Sequence, residues 1–309
     1  MTSSDPCSRS ERARASLLGL AVGDALGSQF FVPANRAAFD ARTPPPAPPG
    51  RPWQWTDDTE MAASVHLVLT RHGAIDQDAL AASFAERHDF DRGYGPGTGR
   101  LLRLVREGGD WRTLARESFG GQGSWGNGAA MRVAPLGAWY AGEPAEAARQ
   151  AALSAEVTHP HPDAVAGAVA VAVAAAIAPA RPAPGPFLDE VLRHVGPGRV
   201  RDGIGEARRL LTVGDPATAA AVLGNGRQVA AHDTVPFTLW VAARVRDDYE
   251  RAFWTTAAAG GDIDTTCAIV GGIVAATAPP PASWLAATEP LPAWAATGPA
   301  GGGGRGTLR

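Results

Sequence analysis

The sequence predicts an all-α protein built as a single compact multi-helix domain. Apolar residues recur three and four apart through most of the chain, the spacing of one helix face. No segment sustains an apolar–polar alternation, and β-branched runs bounded by turns are absent, so strands have no signal. Hydrophobic residues make up 45% and charged residues 19% of 309, enough to bury a sizeable core.

Taken in order, residues 1–10 are polar and read as a disordered N-terminus. Glu11 to Leu26 has helical spacing through Ala15, Leu18, Ala21, Val22 and Leu26, and ends in the small-residue run Gly19-Leu20-Ala21-Val22-Gly23-Asp24-Ala25-Leu26-Gly27. Pro33 to Pro52 reads as an irregular loop, because proline removes backbone donors; it is either a linker or a surface flap. Trp55-Thr56-Asp57-Asp58-Thr59-Glu60 then opens a helix over Met61 to Arg71. Further helices are expected at Asp78–Arg87, Thr98–Glu107 and Asp110–Glu117. The turn Tyr94-Gly95-Pro96-Gly97-Thr98-Gly99 is either a plain helix start or a substrate contact.

Gly123-Ser124-Trp125-Gly126-Asn127-Gly128-Ala129-Ala130-Met131-Arg132 reads as glycine-rich backbone entering a helix. Free N–H groups and a positive dipole end there would suit a pyrophosphate. Helices at Glu143–Val157 and Asp163–Ala178 flank Thr158-His159-Pro160-His161-Pro162. Two histidines without a third nitrogen or sulfur ligand are a poor zinc signature, and His161 reads as surface. Ala164 to Ala178, at 15 residues, is too short for a membrane span and reads as a buried helix. Phe187–His194, Gly203–Leu211 and Pro216–Leu223 continue the helices; Asp233 reads as a structural cap before Val235–Val245.

Gly260-Gly261-Asp262-Ile263-Asp264-Thr265-Thr266 leads into the apolar helix Cys267 to Ala276, with Asp264 placed as its N-cap. Asp262 is a second carboxylate that the cap does not need. If this helix start faces the one at Thr56-Asp57-Asp58, four carboxylates and two hydroxyls converge. Two like charges about 4 Å apart repel by roughly 4 kcal/mol at an effective dielectric near 20. No lysine is present to offset that, so divalent cations are the economical answer, and oxygen ligands select hard ions.

Thr56-Asp57-Asp58 paired with Gly261-Asp262-Ile263-Asp264-Thr265 resembles the ADP-ribosylglycohydrolases, including the dinitrogenase-reductase-activating glycohydrolases. The Gly19–Gly27 run, the Gly123–Arg132 loop and the Thr158-His159 pair match in the family's order, so the resemblance covers roughly residues 14 to 277. It implies an all-α domain of that type over 11–278, followed by a Pro- and Gly-rich flexible tail over 279–309. It also implies two Mg²⁺ or Mn²⁺ ions held by Thr56, Asp57, Asp58, Asp262, Asp264 and Thr265, with Asp57 or Asp58 as catalytic base. Ser124, Gly126, Asn127 and Gly128 inherit contact with ADP-ribose. His159 is either a nucleotide contact or a structural cap.

The implied reaction is metal-dependent hydrolysis of the glycosidic bond at the distal ribose. It frees ADP-ribose from a modified protein or small conjugate, arginine-linked in preference to serine or another O- or N-linked group. Family members often carry a glutamate shortly after the first motif; Ser28-Gln29-Phe30-Phe31 supplies none. Two alternatives stand beside this reading. One is a non-catalytic ADP-ribose-binding or structural member. The other is a D-x-D-x-T phosphatase at Asp262–Thr266, which would need a preceding β-strand.

A net charge of −3 gives no basic footprint, so nucleic acid is not indicated as a partner, nor is a membrane. All 28 basic residues are arginine, which excludes lysine Schiff-base chemistry. Cys7 and Cys267 cannot build a disulfide framework, and no secretory leader is evident, so the expected compartment is cytoplasmic.

Overall fold

Glycines 19, 23 and 27 recur at every fourth residue, which puts them on one helix face. In the computed structural model, which describes residues 6–40, 50 and 52–295, that face is where two helices nearly touch. A β-carbon on Gly23 would sit 2.2 Å from the Cys267 carbonyl oxygen, and one on Gly19 would sit 2.6 Å from that of Gly271. One on Gly27 would sit 2.8 Å from Cα of Asp264. Backbones approach this closely only where no β-carbon intervenes. The first helix therefore lies antiparallel along the helix that follows Gly261, the most extensive pairing in the fold.

The helices run α1 (Pro6–Ser28), α2 (Pro33–Asp40), α3 (Asp57–His72), α4 (Gln77–Arg87), α5 (Pro96–Arg106), α6 (Trp111–Gly121), α7 (Ala134–Trp139), α8 (Pro144–Glu156), α9 (Pro162–Ile177), α10 (Pro184–His194), α11 (Arg199–Arg209), α12 (Pro216–Leu223), α13 (Ala231–Val245), α14 (Tyr249–Ala257), α15 (Ile263–Val274) and α16 (Ala282–Leu285). Among the described residues no strand forms; Trp53–Thr288 and Gly126–Ala230 are isolated bridges. The all-α expectation holds.

Proline placement corrects one expectation. The stretch from Pro33 reads as loop throughout, yet Pro33 opens α2. Proline fits a first helical position, where its missing N–H would have had no partner and its φ is already set. Residues 41–49 and 51, which carry the question of linker or flap, lie outside the described residues.

The expectation of a buried helix at Ala164–Ala178 holds, and only its length is corrected. With the turn after α9, Pro162–Ala180 runs 19 residues, long and apolar enough to cross a bilayer by length and composition alone. The stretch is 78% buried, with α7, α8, α10 and α13 packed around it, so it serves as the central core helix.

Both ends are more ordered than expected. Residues 6–10 belong to α1, where Arg9 pairs with Glu143 at 2.7 Å; residues 1–5 lie outside the described residues. The expected tail is docked as far as Ala295. Trp284 is buried against Trp53 and Phe253, with ring centroids 6.2 and 5.4 Å away. The Trp53 N–H donates to Ala287 O at 2.9 Å, and the Glu289 N–H donates to Trp53 O at 2.8 Å. Burying so much aromatic surface offsets the entropy of ordering a proline-rich segment. Residues 296–309 lie outside the described residues.

Candidate functional site

The α1–α15 contact carries Asp24 to the start of α15, and α3 begins at the same place. Asp24, fully buried, accepts four hydrogen bonds: from the Thr56 N–H (2.9 Å) and hydroxyl (2.8 Å), and from the Thr59 N–H (3.1 Å) and hydroxyl (2.6 Å). The Thr56 hydroxyl also lies 3.1 Å from Asp58 Oδ2, and the Thr265 hydroxyl lies 3.3 Å from that same oxygen. Oxygens of Asp24, Asp58 and Asp264 fall within 4.8 Å of one another. The other oxygen of Asp58, Oδ1, is buried without a hydrogen-bond partner.

Crowded carboxylates in a low-dielectric site resist ionising together. Burial pushes Asp24 up to about 6 despite its hydrogen bonds. Burial, then the Asp24 charge, pushes Asp57 up to about 7. Asp58 and Asp264 are raised well above the carboxylate range, first by burial and then by neighbouring aspartates.

Asp264 is not the N-cap. Asp262 holds that position, and its backbone carbonyl accepts from the Thr266 N–H at 2.9 Å. Its side chain is engaged elsewhere, accepting from Asn127 Nδ2 at 2.7 Å. Asp264 therefore falls in the first turn of α15, where Oδ1 accepts from the Thr265 N–H at 2.7 Å.

Thr56, Asp57, Asp58, Asp262, Asp264 and Thr265 all line a cavity of about 750 Å³, as do Ser124, Gly126, Asn127, Gly128 and His159. That volume suits a drug-sized ligand. The turn at Gly95–Thr98 lines it too, so this turn borders the site as well as starting α5.

The glycine loop works differently from its sequence reading. It enters only a short 3₁₀ turn at Asn127–Ala129, and α7 starts later, at Ala134. The Gly126 N–H is taken by Ser124 Oγ at 3.2 Å and the Asn127 N–H by Val229 O at 3.2 Å, so no helix-end array of free donors forms. The glycines instead make room for His159. A β-carbon on Gly128 would lie 2.8 Å from its Cε1, and one on Gly126 would lie 3.3 Å from its Nε2. Asn127 braces the loop to the acidic end by donating to Asp262 and, at 3.1 Å, to Thr234 Oγ1.

Several residues carry the site without having stood out in the sequence. Asp24 had one signal, a lone acid on an otherwise small and apolar helix face. Phe119 and Val229 had none. Both adopt a left-handed backbone at φ 52°, stay more than half exposed, and line the cavity. Such conformations are strained for non-glycine residues and cluster where a surface is built for a ligand. The Phe119 ring lies 5.0 Å from that of Trp125.

Other expectations shift in detail. His161 caps α9, its Nδ1 accepting from the Asp163 N–H at 3.1 Å. Asp233 lies inside α13 and braces the preceding loop, accepting from the Gln228 N–H at 2.8 Å.

The sequence profile of the ADP-ribosylglycohydrolase family matches residues 5–297. The chain belongs to the ADP-ribosylglycohydrolase family. Human ADP-ribosylhydrolase ARH3 is 34% identical over 164 residues, 48% of this chain and 44% of that protein. The chain thus spans under half the length of the ARH3 relatives it matches. The ADP-ribosyl-[dinitrogen reductase] glycohydrolase of Rhodospirillum rubrum is 33% identical over 160 residues, 49% of this chain and 52% of that protein. An uncharacterized protein of Archaeoglobus fulgidus is 32% identical over 272 residues, covering 84% and 85%. An ADP-ribosylglycohydrolase-related protein complex shares the fold at a TM-score of 0.53 and 24% identity, covering 92% and 94%.

Family membership and fold together remove the phosphatase reading. This chain approaches Asp262 through α14 and a turn with both Gly260 and Gly261 at positive φ, where a D-x-D-x-T phosphatase requires a strand.

Proposed function

We propose that this chain is a metal-dependent hydrolase that removes ADP-ribose from a modified side chain, arginine-linked in preference to serine or another O- or N-linked conjugate. The observation that carries the reading is one cavity with two chemically distinct walls. Asp57, Asp58, Asp262 and Asp264 crowd one wall, and the Ser124–Gly128 loop with His159 forms the adjoining one, joined to it by the Asn127–Asp262 hydrogen bond.

The residues fit hard cations. All the donors are oxygens, and the buried Asp58 Oδ1 lacks any hydrogen bond, so a cation is the partner its charge calls for. Thr56, Asp57, Asp58, Asp262, Asp264 and Thr265 would hold two Mg²⁺ or Mn²⁺ ions. When bound, such ions order ribose hydroxyls and lower the pKa of a bound water. Asp24 already accepts four hydrogen bonds and acts as the brace that fixes Thr56 and Asp58. Asp57 is more accessible to the cavity than the buried Asp58, so we assign Asp57 as the base that takes the proton of the attacking water.

The loop wall supplies binding energy away from the reacting bond. Phe119 and Trp125 offer aromatic faces for the adenine, and His159, seated against Gly126 and Gly128, faces the pyrophosphate. Among the described residues no arginine lines the cavity, so no protein cation repels a guanidinium leaving group at the reacting end.

The test is release of free ADP-ribose from arginine- and serine-linked ADP-ribosylated peptides, with Mg²⁺ or Mn²⁺ and with EDTA. Metal-dependent release, faster from arginine, is expected. ADP-ribose binding by calorimetry without release from either peptide would favour the non-catalytic binding member. Undiminished release in EDTA would refute the metal role.

A further inference from the structure

Among the described residues no arginine lines the cavity, and the chain has no lysine, so an anionic ligand meets no cationic side chain of the described lining directly. One cation stands behind the wall. Arg132 has no exposed surface, stacks over the Phe84 ring at 4.6 Å, and donates to Ser154 O at 2.6 Å and Thr158 Oγ1 at 2.9 Å. Among the described residues no carboxylate pairs with it. Burying an unpaired guanidinium is unfavourable, and a fold that keeps one invites a functional account.

The hydroxyl of Thr158 links Arg132 to the cavity. Guanidinium nitrogens only donate, so Thr158 Oγ1 accepts from Arg132. The same oxygen lies 2.7 Å from His159 Nδ1, and among the described residues the Thr158 hydroxyl makes no other hydrogen bond. The Thr158 proton therefore points at Nδ1, which must be the unprotonated nitrogen. The ring's own proton is left on Nε2. No protein group bonds Nε2 among the described residues, and the ring faces the two glycines of the cavity loop.

We propose that Arg132 is a positioning residue: through the Thr158 hydroxyl it holds His159 as the neutral tautomer protonated at Nε2, making that N–H a fixed donor to an anionic oxygen of the bound ligand. Burial, and then the Arg132 charge, push His159 down to about 3, so the ring stays neutral where an unrestrained histidine would titrate. The ligand half of this inference rests on the ADP-ribose reading of the cavity. The tautomer half rests on the Arg132–Thr158–His159 chain alone.

The experiment is long-range ¹H–¹⁵N spectroscopy of the histidine rings in ligand-free protein, with ADP-ribose affinity measured in parallel by calorimetry. Wild-type His159 should show an unprotonated Nδ1 and a protonated Nε2 from about pH 5 to about pH 8. Thr158→Val should mix the tautomers and weaken ADP-ribose binding about tenfold, while Thr158→Ser keeps both readouts. Arg132→Met should mix the tautomers as well; if it does not fold, Thr158→Val carries the test. An Nδ1–H tautomer in wild type, or a Thr158→Val protein matching wild type in tautomer and affinity, overturns the proposal. Wild-type protein that does not bind ADP-ribose would sink the ligand reading, and the tautomer shift would then decide the role of Arg132 by itself.

Discussion

Asp24 caps a helix to which it does not belong. Its Oδ2 accepts from the Thr56 N–H at 2.9 Å, and Thr56 is the N-cap residue of α3, whose own side chain makes no capping bond. A helix start leaves N–H groups without partners, and the usual remedy is the N-cap side chain itself. Here a carboxylate from α1 takes that place, leaving the Thr56 hydroxyl beside Asp58. One residue thus joins helix stability to the geometry of the acidic cluster.

Asp24→Asn is therefore expected to damage both. An amide offers one acceptor oxygen where four donors converge, so at least one buried donor loses its partner, at a cost of about 1–3 kcal/mol. Urea unfolding should register that loss, and titration calorimetry should show at least tenfold weaker Mn²⁺ binding. Wild-type values for both would disprove the bracing role.

Asp58→Asn should split stability from metal binding. It removes a group whose ionisation burial and the neighbouring aspartates oppose, so the metal-free protein should melt at the same or a higher temperature than wild type. Adding Mg²⁺ or Mn²⁺ should raise the melting temperature of wild type, as any ligand of the native state does, and leave the variant unmoved. An equal metal-induced shift in both proteins would argue against Asp58 as a ligand.

Two glycines should respond to alanine in opposite directions. At Gly23 the new β-carbon would lie 2.2 Å from the Cys267 carbonyl, so α1 and α15 must separate; a loss of more than ~2 kcal/mol is expected. Nothing lies within 4 Å of a β-carbon at Gly205 in α11, and alanine there should stabilise by about 0.5–1 kcal/mol. Chemical denaturation of both variants reads the contrast, and similar values would undo the close-approach account.

Phe119 holds a strained backbone in order to present its ring. Phe119→Gly relieves the φ of 52°, so thermal stability should stay level or rise. ADP-ribose affinity should fall about tenfold with the aromatic face gone. A variant that melts lower and binds normally would assign Phe119 to the fold.

Histidine burial sets an acid limit on stability. Burial, then the Arg14 charge, lower His66 to about 4. Between that value and the ordinary 6.5 the unfolded chain binds the extra proton, so the contribution is complete above about pH 6.5 and is lost as pH falls through about 4. The amount is on the order of 3 kcal/mol. His66→Gln should flatten the pH dependence of urea stability in that window; an unchanged slope would exclude His66 as its source.

Periodicity made the helical class legible because a helix is a local structure: its hydrogen bonds and apolar face repeat within four residues. The acidic motifs at Thr56–Asp58 and Asp262–Thr265 were legible for a related reason, since carboxylates crowded before apolar runs are conspicuous in a sequence. Proline was less legible. At Pro33 the residue that ends helices begins one, and only the backbone around it says which.

By itself the sequence determined that the chain is helical, that two acid-bearing helix starts and a glycine-rich loop are its chemical equipment, and that lysine plays no part. Only the tertiary structure decided that Asp24 joins the acids across the Gly23–Cys267 contact, that Asp262 rather than Asp264 holds the cap position, that Phe119 turns its ring outward, and that Arg132 stands behind His159. These outcomes depend on packing between residues up to hundreds of positions apart, and on a positive φ at a non-glycine residue. The glycine repeat at 19, 23 and 27 marks a close contact without naming its partner, and the positive φ leaves no mark in local residue spacing.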